Sequence, residues 1–473
     1  MRPSTSPDQT VAPTLEDPVA AAASQVAGGP LGRYAAIGRR SRDGWQAAAA
    51  VLSGLVAVMV ALAVAQRSHC VRTGWSTPDQ FWHACYSDLP LVFQTSGLAT
   101  GTLPYLHNGA GALDQPVGSG LAMWVMALLV PGGPVTTRQQ WYFGLWAVLV
   151  TVLLVLLVIV TAASVRRHPW KAAHVALSPV IVTASLVSVD LLGVVLTSVG
   201  LWAWGRRRVP LAGLVLGLAI ATRTYPLVIV AAIGLVAVRG GRLRQWAALA
   251  GVTLATWLLV SLPWLVVNAD GFLSTYRRWW GAGAGYGSLW LVPQLFDHDL
   301  PVGAVTVLAV MGWVAALVAG ATLALATQRR PAVAEVALLM LAIVLVTGKS
   351  VPVQACLWLL PLIALVGVRW RDHLIWAGTE VVYSVAVWLY LAGLSVKDRG
   401  LPSGPYAGLL LARLLALGWL VTQVVRVARA RWALPEDELG ETEVAEQERL
   451  EGEVDELAGP IAGAEDRVLV RFG

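Results

Sequence analysis

Charged side chains are scarce in this sequence. Only 13% of its 473 residues are Asp, Glu, Lys or Arg and 57% are hydrophobic, whereas soluble domains contain about 25% charged residues. The length alone would suggest about three soluble domains, but a soluble enzyme could not bury so many apolar side chains. Many segments also approach the length of about 20 apolar residues that is needed to cross a bilayer core. The sequence therefore predicts an all-α, polytopic membrane protein.

Motifs for nucleotide binding are missing as well. The segment Thr347–Ser350 ends like a phosphate-binding loop, but Ile343 stands where the first glycine is required. The glycines of Gly281–Gly285 do not have the spacing of the dinucleotide-binding fingerprint. A soluble sugar-nucleotide donor is therefore disfavoured.

The sequence also shows no clear set of metal ligands. The run Asp297–Asp299 is one short cluster and fits a solvated loop better than a metal site. Three histidines of one loop lack ligand spacing, namely His69, His83 and His107. We therefore expect no resident cofactor, while participation of a divalent cation stays open.

Acidic residues are rare outside the last part of the chain. Residues 433–473 contain 13 acidic and three basic residues, and because the whole chain has a net charge of +6, the preceding part has a net charge of +16. The cations of that part stand in short clusters between apolar runs. Such clusters orient membrane helices, so we expect no nucleic-acid partner.

Hydrophobic runs and basic clusters together predict twelve membrane spans. The clusters follow every second span, so with a cytosolic amino terminus all of them lie in the cytosol, as the positive-inside rule requires. Both termini are then cytosolic, and the chain is a multi-pass protein of the cell membrane. The predicted spans are 46–65, 141–163, 174–188, 190–204, 209–222, 224–238, 245–267, 302–325, 332–347, 354–368, 374–394 and 405–425.

This topology divides the chain into three parts. Residues 1–44 are rich in Ala, Pro, Ser and Gly and are expected to form a disordered cytosolic leader. Residues 45–431 form the transmembrane domain, and residues 432–473 form an acidic cytosolic tail. The apolar segment Gly120–Pro131 is short, and a full crossing there would reverse the sidedness of every later cluster. We therefore expect a re-entrant or interfacial helix at this position.

Two pairs of short spans meet on the extracytoplasmic side. Spans 174–188 and 190–204 meet near Asp190, and the next two spans meet near Arg223. Each of these spans is about 22 Å long at 1.5 Å per residue, which is less than the bilayer core of about 30 Å. Both apices are therefore expected below the outer surface, where an ionisable residue is a candidate functional residue.

Asp88 lies in the long first outer loop, residues 67–140, among several aromatic residues. A carboxylate in this position could accept the proton of a sugar hydroxyl while that hydroxyl attacks a glycosyl phosphate. The alternative is a solvated loop acid or a helix N-cap.

Arg223 and Lys349 are cations on the outer side, next to apolar helix ends. Fixed cations there could hold the anionic head of a lipid-phosphate donor and stabilise the leaving phosphate. The alternative is an interfacial anchor or an ion pair with Asp190. Arg277 and Arg278 offer the same chemistry, but an anchoring role fits them better.

Cys70 and Cys85 lie on the same extracytoplasmic side, where disulfides persist. A bridge would close a loop of about 15 residues and contribute about 3 kcal/mol in the chain-entropy model. It would also fix the backbone shortly before Asp88. The alternative is two unpaired small side chains, and Cys356 is expected to be a packing residue.

Several short motifs follow one another in the outer loops and helix ends. Together they resemble the bacterial glycosyltransferase family 87, a family of integral-membrane enzymes of the GT-C type, over roughly residues 50–395. The leader around Gly28–Gly32 is similar to that of actinobacterial members. The motifs are Cys85-Tyr86-Ser87-Asp88, Pro104-Tyr105, Asp114-Gln115-Pro116-Val117, Val189-Asp190-Leu191-Leu192, Arg223-Thr224-Tyr225-Pro226, Gly287-Ser288-Leu289-Trp290, and Lys349 with Gln354 and Leu357-Trp358-Leu359-Leu360-Pro361.

The resemblance implies transfer of mannose or arabinofuranose from a polyprenyl-phosphate donor to a cell-envelope glycolipid or polysaccharide on the outer face. Asp88 would be the base of an inverting reaction, with Arg223 and Lys349 on the donor phosphate. The remaining motif residues would bind substrate, namely Tyr105, Asp114, Asp190, Tyr225 and Gln354. The alternatives are a lipid or sugar transporter or flippase, for which no polar path or inverted repeat is evident, and a non-catalytic envelope-assembly subunit. The sequence does not indicate the oligomeric state.

Overall fold

The computed structural model of the protein describes residues 44–106, 112–327, 330–430 and 455–468, together with Val19 and Ala22; the side chains of 427–430 are not described. Within these ranges every regular element is helical, as predicted. Apart from Val19, Ala22 and Gly44, the predicted leader lies outside the described residues, and so does the first part of the predicted tail, residues 432–454. The described α-helices are α1 Gly44–Gln66, α2 Ser68–Thr73, α3 Asp79–Trp82, α4 Asp88–Thr95, α5 Val117–Leu128, α6 Val135–Ser164, α7 Ala173–Ala176, α8 Val180–Ala184, α9 Asp190–Gly205, α10 Val209–Thr222, α11 Pro226–Arg239, α12 Leu243–Val267, α13 Ala269–Gly281, α14 Leu291–Gln294, α15 Val302–Ala326, α16 Val333–Val346, α17 Cys356–Val366, α18 Trp370–Ser395 and α19 Ser403–Ala430. Short 3₁₀ turns occupy Gly97–Thr100, Pro169–Ala172, Val353–Ala355 and Gly459–Ile461.

Six of the described helices are long and apolar enough to cross a membrane, namely α1, α6, α12, α15, α18 and α19. Each of these helices contains at least the about 20 residues that are needed to cross a bilayer core. Shorter apolar helices of 10–17 residues fill the bundle between them. The prediction of an all-α, polytopic membrane protein is confirmed, and all predicted spans except 174–188 correspond to single helices.

The short helix α10 lies at the centre of one half of the bundle, between α9 and α12. Gly213 and Gly217 stand four residues apart on its α12 side. A Cβ atom at these positions would lie 2.8 Å from the carbonyl oxygen of Leu249 and 2.6 Å from that of Thr253. Small residues at this spacing let membrane helices approach closely, so these glycines set the packing of α10 against α12.

The predicted span 174–188 is not one helix, and this prediction was wrong. The segment consists of the short helices α7 and α8, interrupted before Pro179. Proline lacks the N–H that a continuous helix needs and disfavours helical backbone in the preceding residue. The buried guanidinium of Arg67 donates to the carbonyls of Val182 and Thr183, at 3.0 and 2.8 Å. An ionic side chain thus satisfies backbone groups that the interrupted helix leaves open.

Helix α5 covers most of the segment that was predicted to be re-entrant or interfacial. Its 12 residues span about 18 Å. At its start, the Ser119 hydroxyl donates to the carbonyl of Thr222, at the end of α10. In its middle, the Met123 carbonyl accepts the hydroxyl of Tyr142, near the start of α6. The start of α5 therefore lies at the end of the bundle where Asp190 and Arg223 stand, which we call the site face.

The opposite ends of α9 and α10 form a second face, the basic face, which carries the arginines of 166–167 and 206–208. Part of the acidic tail, residues 455–468, lies against it. The Glu456 carboxylate accepts the backbone N–H groups of Arg166 and Arg167 at 2.9 and 3.2 Å. The Asp466 carboxylate pairs with both Arg239 and Arg330. The tail therefore contacts the turns that the charge pattern placed on one side of the membrane.

Candidate functional site

Asp88 is the first residue of α4 and is held at the site face by the turn before α9. Its backbone N–H donates to the carbonyl of Val187 at 2.8 Å. The preceding Ser87 hydroxyl donates to the carbonyl of Leu186 at 2.7 Å. These two bonds connect the first outer loop to residues that lie three and four positions before Asp190. The structure therefore places Asp88 beside the start of α9.

Asp88 is half-buried, and its carboxylate makes one side-chain hydrogen bond. The Tyr86 hydroxyl donates to Asp88 Oδ1 at 2.6 Å, while the Tyr86 ring packs on Trp388 with centroids 4.5 Å apart. Burial raises the pKa of Asp88 above its ordinary value. The hydrogen bond from Tyr86 opposes that shift, the charge of Asp190 adds to it, and the charge of Arg223 opposes it. Asp88 is thus a carboxylate with increased proton affinity, as suits a general base.

Asp190 and Arg223 form a buried ion pair next to Asp88. Arg223 Nε and Nη2 lie 2.9 and 2.5 Å from Asp190 Oδ1, and the two side chains are 16% and 2% exposed. Asp190 is the first residue of α9, and Arg223 has extended backbone immediately after α10. This is the ion pair that stood as the alternative interpretation of Arg223.

Three further side chains hold this ion pair in place. Ser188 Oγ donates to Asp190 Oδ1 at 2.8 Å, and Trp358 Nε1 donates to Asp190 Oδ2 at 2.7 Å. Arg223 Nη1 donates to Gln115 Oε1 at 2.8 Å. Described residues thereby engage three of the five N–H groups of the guanidinium. The arrangement fixes a cation near the carboxylate of Asp88.

Tyr225 and Gln354 lie close to Trp358 rather than in the ion pair itself. The Tyr225 ring stacks on the indole with centroids 4.8 Å apart, and its hydroxyl donates to Thr197 Oγ1 at 3.1 Å. Gln354 is 9% exposed and lies in the 3₁₀ turn immediately before α17, four residues before Trp358 in the chain. The structure therefore places Tyr225 against the indole that holds Asp190, and Gln354 in the turn that leads into the helix of that indole.

Tyr105 and Asp114 lie on the segment that supplies Gln115. The Tyr105 hydroxyl donates to the carbonyls of Gln115 and Pro116, at 2.8 and 3.0 Å, and the residue is 4% exposed. Asp114 is 48% exposed, with Oδ2 3.3 Å from Nε of Arg278. Tyr105 thus shapes the loop, while Asp114 and Arg278 form an accessible charged pair.

Lys349 is not part of the hydrogen-bonded group around Asp190. Its Nζ donates to the carbonyls of Trp279, Trp280 and Ala282 at 3.0, 2.8 and 2.9 Å. These carbonyls belong to the end of α13, where a cation is favoured by the helix dipole. An ammonium group has three N–H donors, so all of them are engaged, and the residue is 3% exposed.

Cys70 and Cys85 form a disulfide with Cα atoms 5.9 Å apart. The bridge closes the loop that ends three residues before Asp88. Cys356, in contrast, is a buried free cysteine, as expected for a packing residue.

Most residues of the candidate site that the sequence did not single out are hydrogen-bond partners of residues that it did predict. Tyr86, Gln115 and Trp358 all stand inside the motifs that carried the family resemblance. Their roles were hidden because each bond depends on which helix ends meet. Arg278 was considered as a phosphate ligand and, with a better fit, as an anchor, and no sequence signal connected it with Asp114.

Neither a protein-family model nor a curated protein sequence matches the chain. Among solved structures, the chain is similar to the crystal structure of ArnT from Cupriavidus metallidurans bound to undecaprenyl phosphate. The identity is 17% and the TM-score 0.39, over 89% of this chain and 90% of that chain. Similarity at this level assigns neither a family nor an activity to this chain. What its own residues define is a polytopic membrane protein with an acid and an ion pair at one face.

Proposed function

We propose that the protein is a glycosyltransferase of the GT-C type, similar to family 87, in the cell membrane. It transfers a sugar, mannose or arabinofuranose, from a polyprenyl phosphate to a hydroxyl of a cell-envelope glycolipid or polysaccharide. The observation that carries the proposal is the half-buried acid Asp88 beside the buried Asp190–Arg223 pair. The site face is extracytoplasmic in this proposal, and both termini are cytosolic.

In the proposed reaction, Asp88 is the general base. Its Oδ1 atom already accepts the Tyr86 hydroxyl, which leaves Oδ2 for the proton of the acceptor hydroxyl. The deprotonated oxygen forms a bond to the anomeric carbon while the bond from that carbon to the phosphate oxygen breaks. The polyprenyl phosphate leaves with the electron pair, and attack from the opposite side inverts the anomeric centre.

In this proposal Arg223 stabilises the leaving phosphate. Fixed donors that meet a developing negative charge lower the barrier without needing to reorganise, and the bonds to Asp190 and Gln115 fix the guanidinium. Asp190 positions this cation, and the exposed Asp114 orients sugar or a cation at the entrance. Lys349 can contribute to phosphate binding only if a phosphate oxygen replaces one of its three carbonyl acceptors.

The test is the variant Asp88→Asn in membranes supplied with a labelled polyprenyl-phosphate sugar. General bases contribute roughly 10²- to 10⁴-fold to rate, so we expect transfer to fall by at least about 100-fold. Asp270→Asn is the matched control, because Asp270 is 68% exposed and pairs with Arg277 on α13. Transfer at the parent rate by a correctly folded Asp88→Asn protein would exclude Asp88 as the base.

The same preparation separates the two alternative functions. Uptake of the lipid-linked sugar into proteoliposomes without transfer would indicate a transporter or flippase. A cell that carries Asp88→Ala and makes normal envelope glycans, while a deletion alters them, would indicate a non-catalytic assembly subunit.

A further inference from the structure

Two histidines and an aspartate converge in the loop between α1 and α4. His69 Nε2 lies 2.7 Å from Asp79 Oδ2, and His83 Nδ1 lies 3.2 Å from Asp79 Oδ1. The two imidazole rings are stacked, with centroids 3.5 Å apart and planes 13° apart. One ligand atom from each of the three side chains lies within 4.8 Å of the others. Among the described residues, these three form a compact set of two nitrogen donors and one carboxylate.

Covalent structure holds the three side chains together. His69 immediately precedes Cys70, His83 stands two residues before Cys85, and the disulfide joins the two cysteines. Asp79 lies in the loop that this bridge closes. The sequence spacing of 14 residues between the histidines hid this proximity, because the disulfide rather than a helix brings them together.

The chemistry of this set matches a divalent transition metal. Zn²⁺ binds neutral imidazole and carboxylate at roughly 2.0–2.2 Å, and three protein ligands with water in the fourth position are a common arrangement. Ligand atoms on a tetrahedral ion with such bonds are about 3.3 Å apart. Because one ligand atom of each side chain already lies within 4.8 Å of the others, rotations of the side chains can bring them to that spacing around an ion. The ligands are also accessible, since the side chains of His69, Asp79 and His83 are 32%, 34% and 45% exposed.

We propose that His69, Asp79 and His83 bind a divalent transition-metal ion of the Zn²⁺ class on the site face of the protein. The ion connects α2 with α3 and adds a second link across the loop that the disulfide closes. Because this loop leads directly into α4, the ion stabilises the segment that positions Asp88. The site is independent of the proposed function, since none of its ligands has a role in the proposed transfer.

The experiment uses the full-length protein, purified in detergent, freed of metal with a chelator and titrated with Zn²⁺ by calorimetry. We expect about one Zn²⁺ per chain. The variants His69→Gln, Asp79→Asn and His83→Gln are each expected to bind on the order of tenfold or more weakly. His298→Gln is the matched control, because His298 is an exposed loop histidine between two aspartates, Asp297 and Asp299, and it should bind like the parent.

A second measurement does not depend on the variants being folded. Diethyl pyrocarbonate modifies accessible histidines, and mass spectrometry of the parent protein locates the modified sites. Zn²⁺ should protect His69 and His83 and leave His298 reactive. Equal modification with and without Zn²⁺, or parent affinity no higher than that of the His69→Gln, His83→Gln double variant, would overturn the proposal.

Discussion

The indole nitrogen of Trp358 lies 2.7 Å from Oδ2 of Asp190, a residue 168 positions earlier in the chain. Helix α17 is thereby attached to the carboxylate that holds Arg223. The site face is therefore formed jointly by the first outer loop, the start of α9, the end of α10 and the start of α17.

Replacing Trp358 with Phe should lower the stability of the protein. The phenyl ring can still pack on Tyr225, but the N–H donated to a buried carboxylate is lost. A hydrogen bond to a charged group contributes about 1.5–3 kcal/mol, and we expect a loss of that order in the free energy of unfolding, measured by thermal unfolding in detergent. Trp280→Phe is the control, because this indole is 61% exposed. Equal stability of the two variants would contradict the role of the Trp358–Asp190 bond.

Replacing Tyr86 with Phe should move the acid limb of the proposed transfer activity to higher pH. Burial raises the pKa of Asp88, and the hydrogen bond from Tyr86 opposes this rise. Its removal raises the pKa further, so the base becomes protonated, and therefore inactive, at a higher pH than in the parent. The measurement is the pH dependence of kcat/KM, with Tyr286→Phe as a control. An acid limb that stays in place or moves to lower pH would contradict this assignment.

The raised pKa of Asp88 also predicts the direction in which the stability of the protein changes with pH. The folded-state pKa of Asp88 lies above the value of about 3.9 that an unfolded chain gives. The folded state therefore binds this proton more tightly than the unfolded state, and the contribution of Asp88 to stability declines as pH rises through its raised pKa.

Replacing Lys349 with Met should destabilise the protein even without substrate. Three carbonyls at the end of α13 lose their donor, and the loss of an intramolecular hydrogen bond costs about 0.5–1.5 kcal/mol. We expect a lower Tm, and also a smaller rise in Tm on addition of polyprenyl phosphate. The second effect tests the proposed phosphate contact, because a full ligand-induced rise in Lys349→Met would leave Lys349 with the helix-capping role alone.

Replacing Asp466 with Asn should weaken the contact between the tail and the basic face. Burial raises the pKa of Asp466, but the hydrogen bonds from Arg239 and Arg330 outweigh burial and keep it below its ordinary value. We expect a loss of about 1–3 kcal/mol, less than for a fully buried pair because Asp466 is 31% exposed.

The stabilisation that this contact provides should decrease as the pH falls. The stabilisation from Asp466 is present above the unfolded pKa of about 3.9 and disappears as pH falls through the lower folded pKa. The difference in Tm between the parent and Asp466→Asn should therefore shrink in acid. Glu465→Gln, at the neighbouring exposed acid, should match the parent at every pH, and equal losses in both variants would refute the specific pairing.

Sequence patterns predicted the long helices because each of these helices contains a long apolar run of its own. The span predicted at 302–325 is the helix Val302–Ala326, and the span predicted at 46–65 is the helix Gly44–Gln66. The interruption before Pro179 was missed because apolar composition continues through it. The end of the short helix that follows it is held by Arg67, a partner more than 100 residues away.

The site could be predicted where it depends only on the local sequence, that is, on the charge of a residue and on its position at the end of an apolar span. Asp190 and Arg223 were recognised because ionisable residues are costly at helix ends within the bilayer. The partners Gln115 and Trp358 could not be deduced, since each bond depends on which helix ends meet after packing. For Lys349 the sequence predicted a cation next to an apolar helix end, but its contact with α13 arises only from the fold.

The position of the tail has a consequence for the order of events during biosynthesis. Cationic turns direct the orientation of helices while the chain is being inserted. Residues 455–468 are synthesised after all the described α-helices, so Arg239 and Arg330 cannot pair with Asp466 while those helices are being made. The pairing of Asp466 with both arginines is therefore a late step of maturation, which follows the synthesis of the helices that it joins.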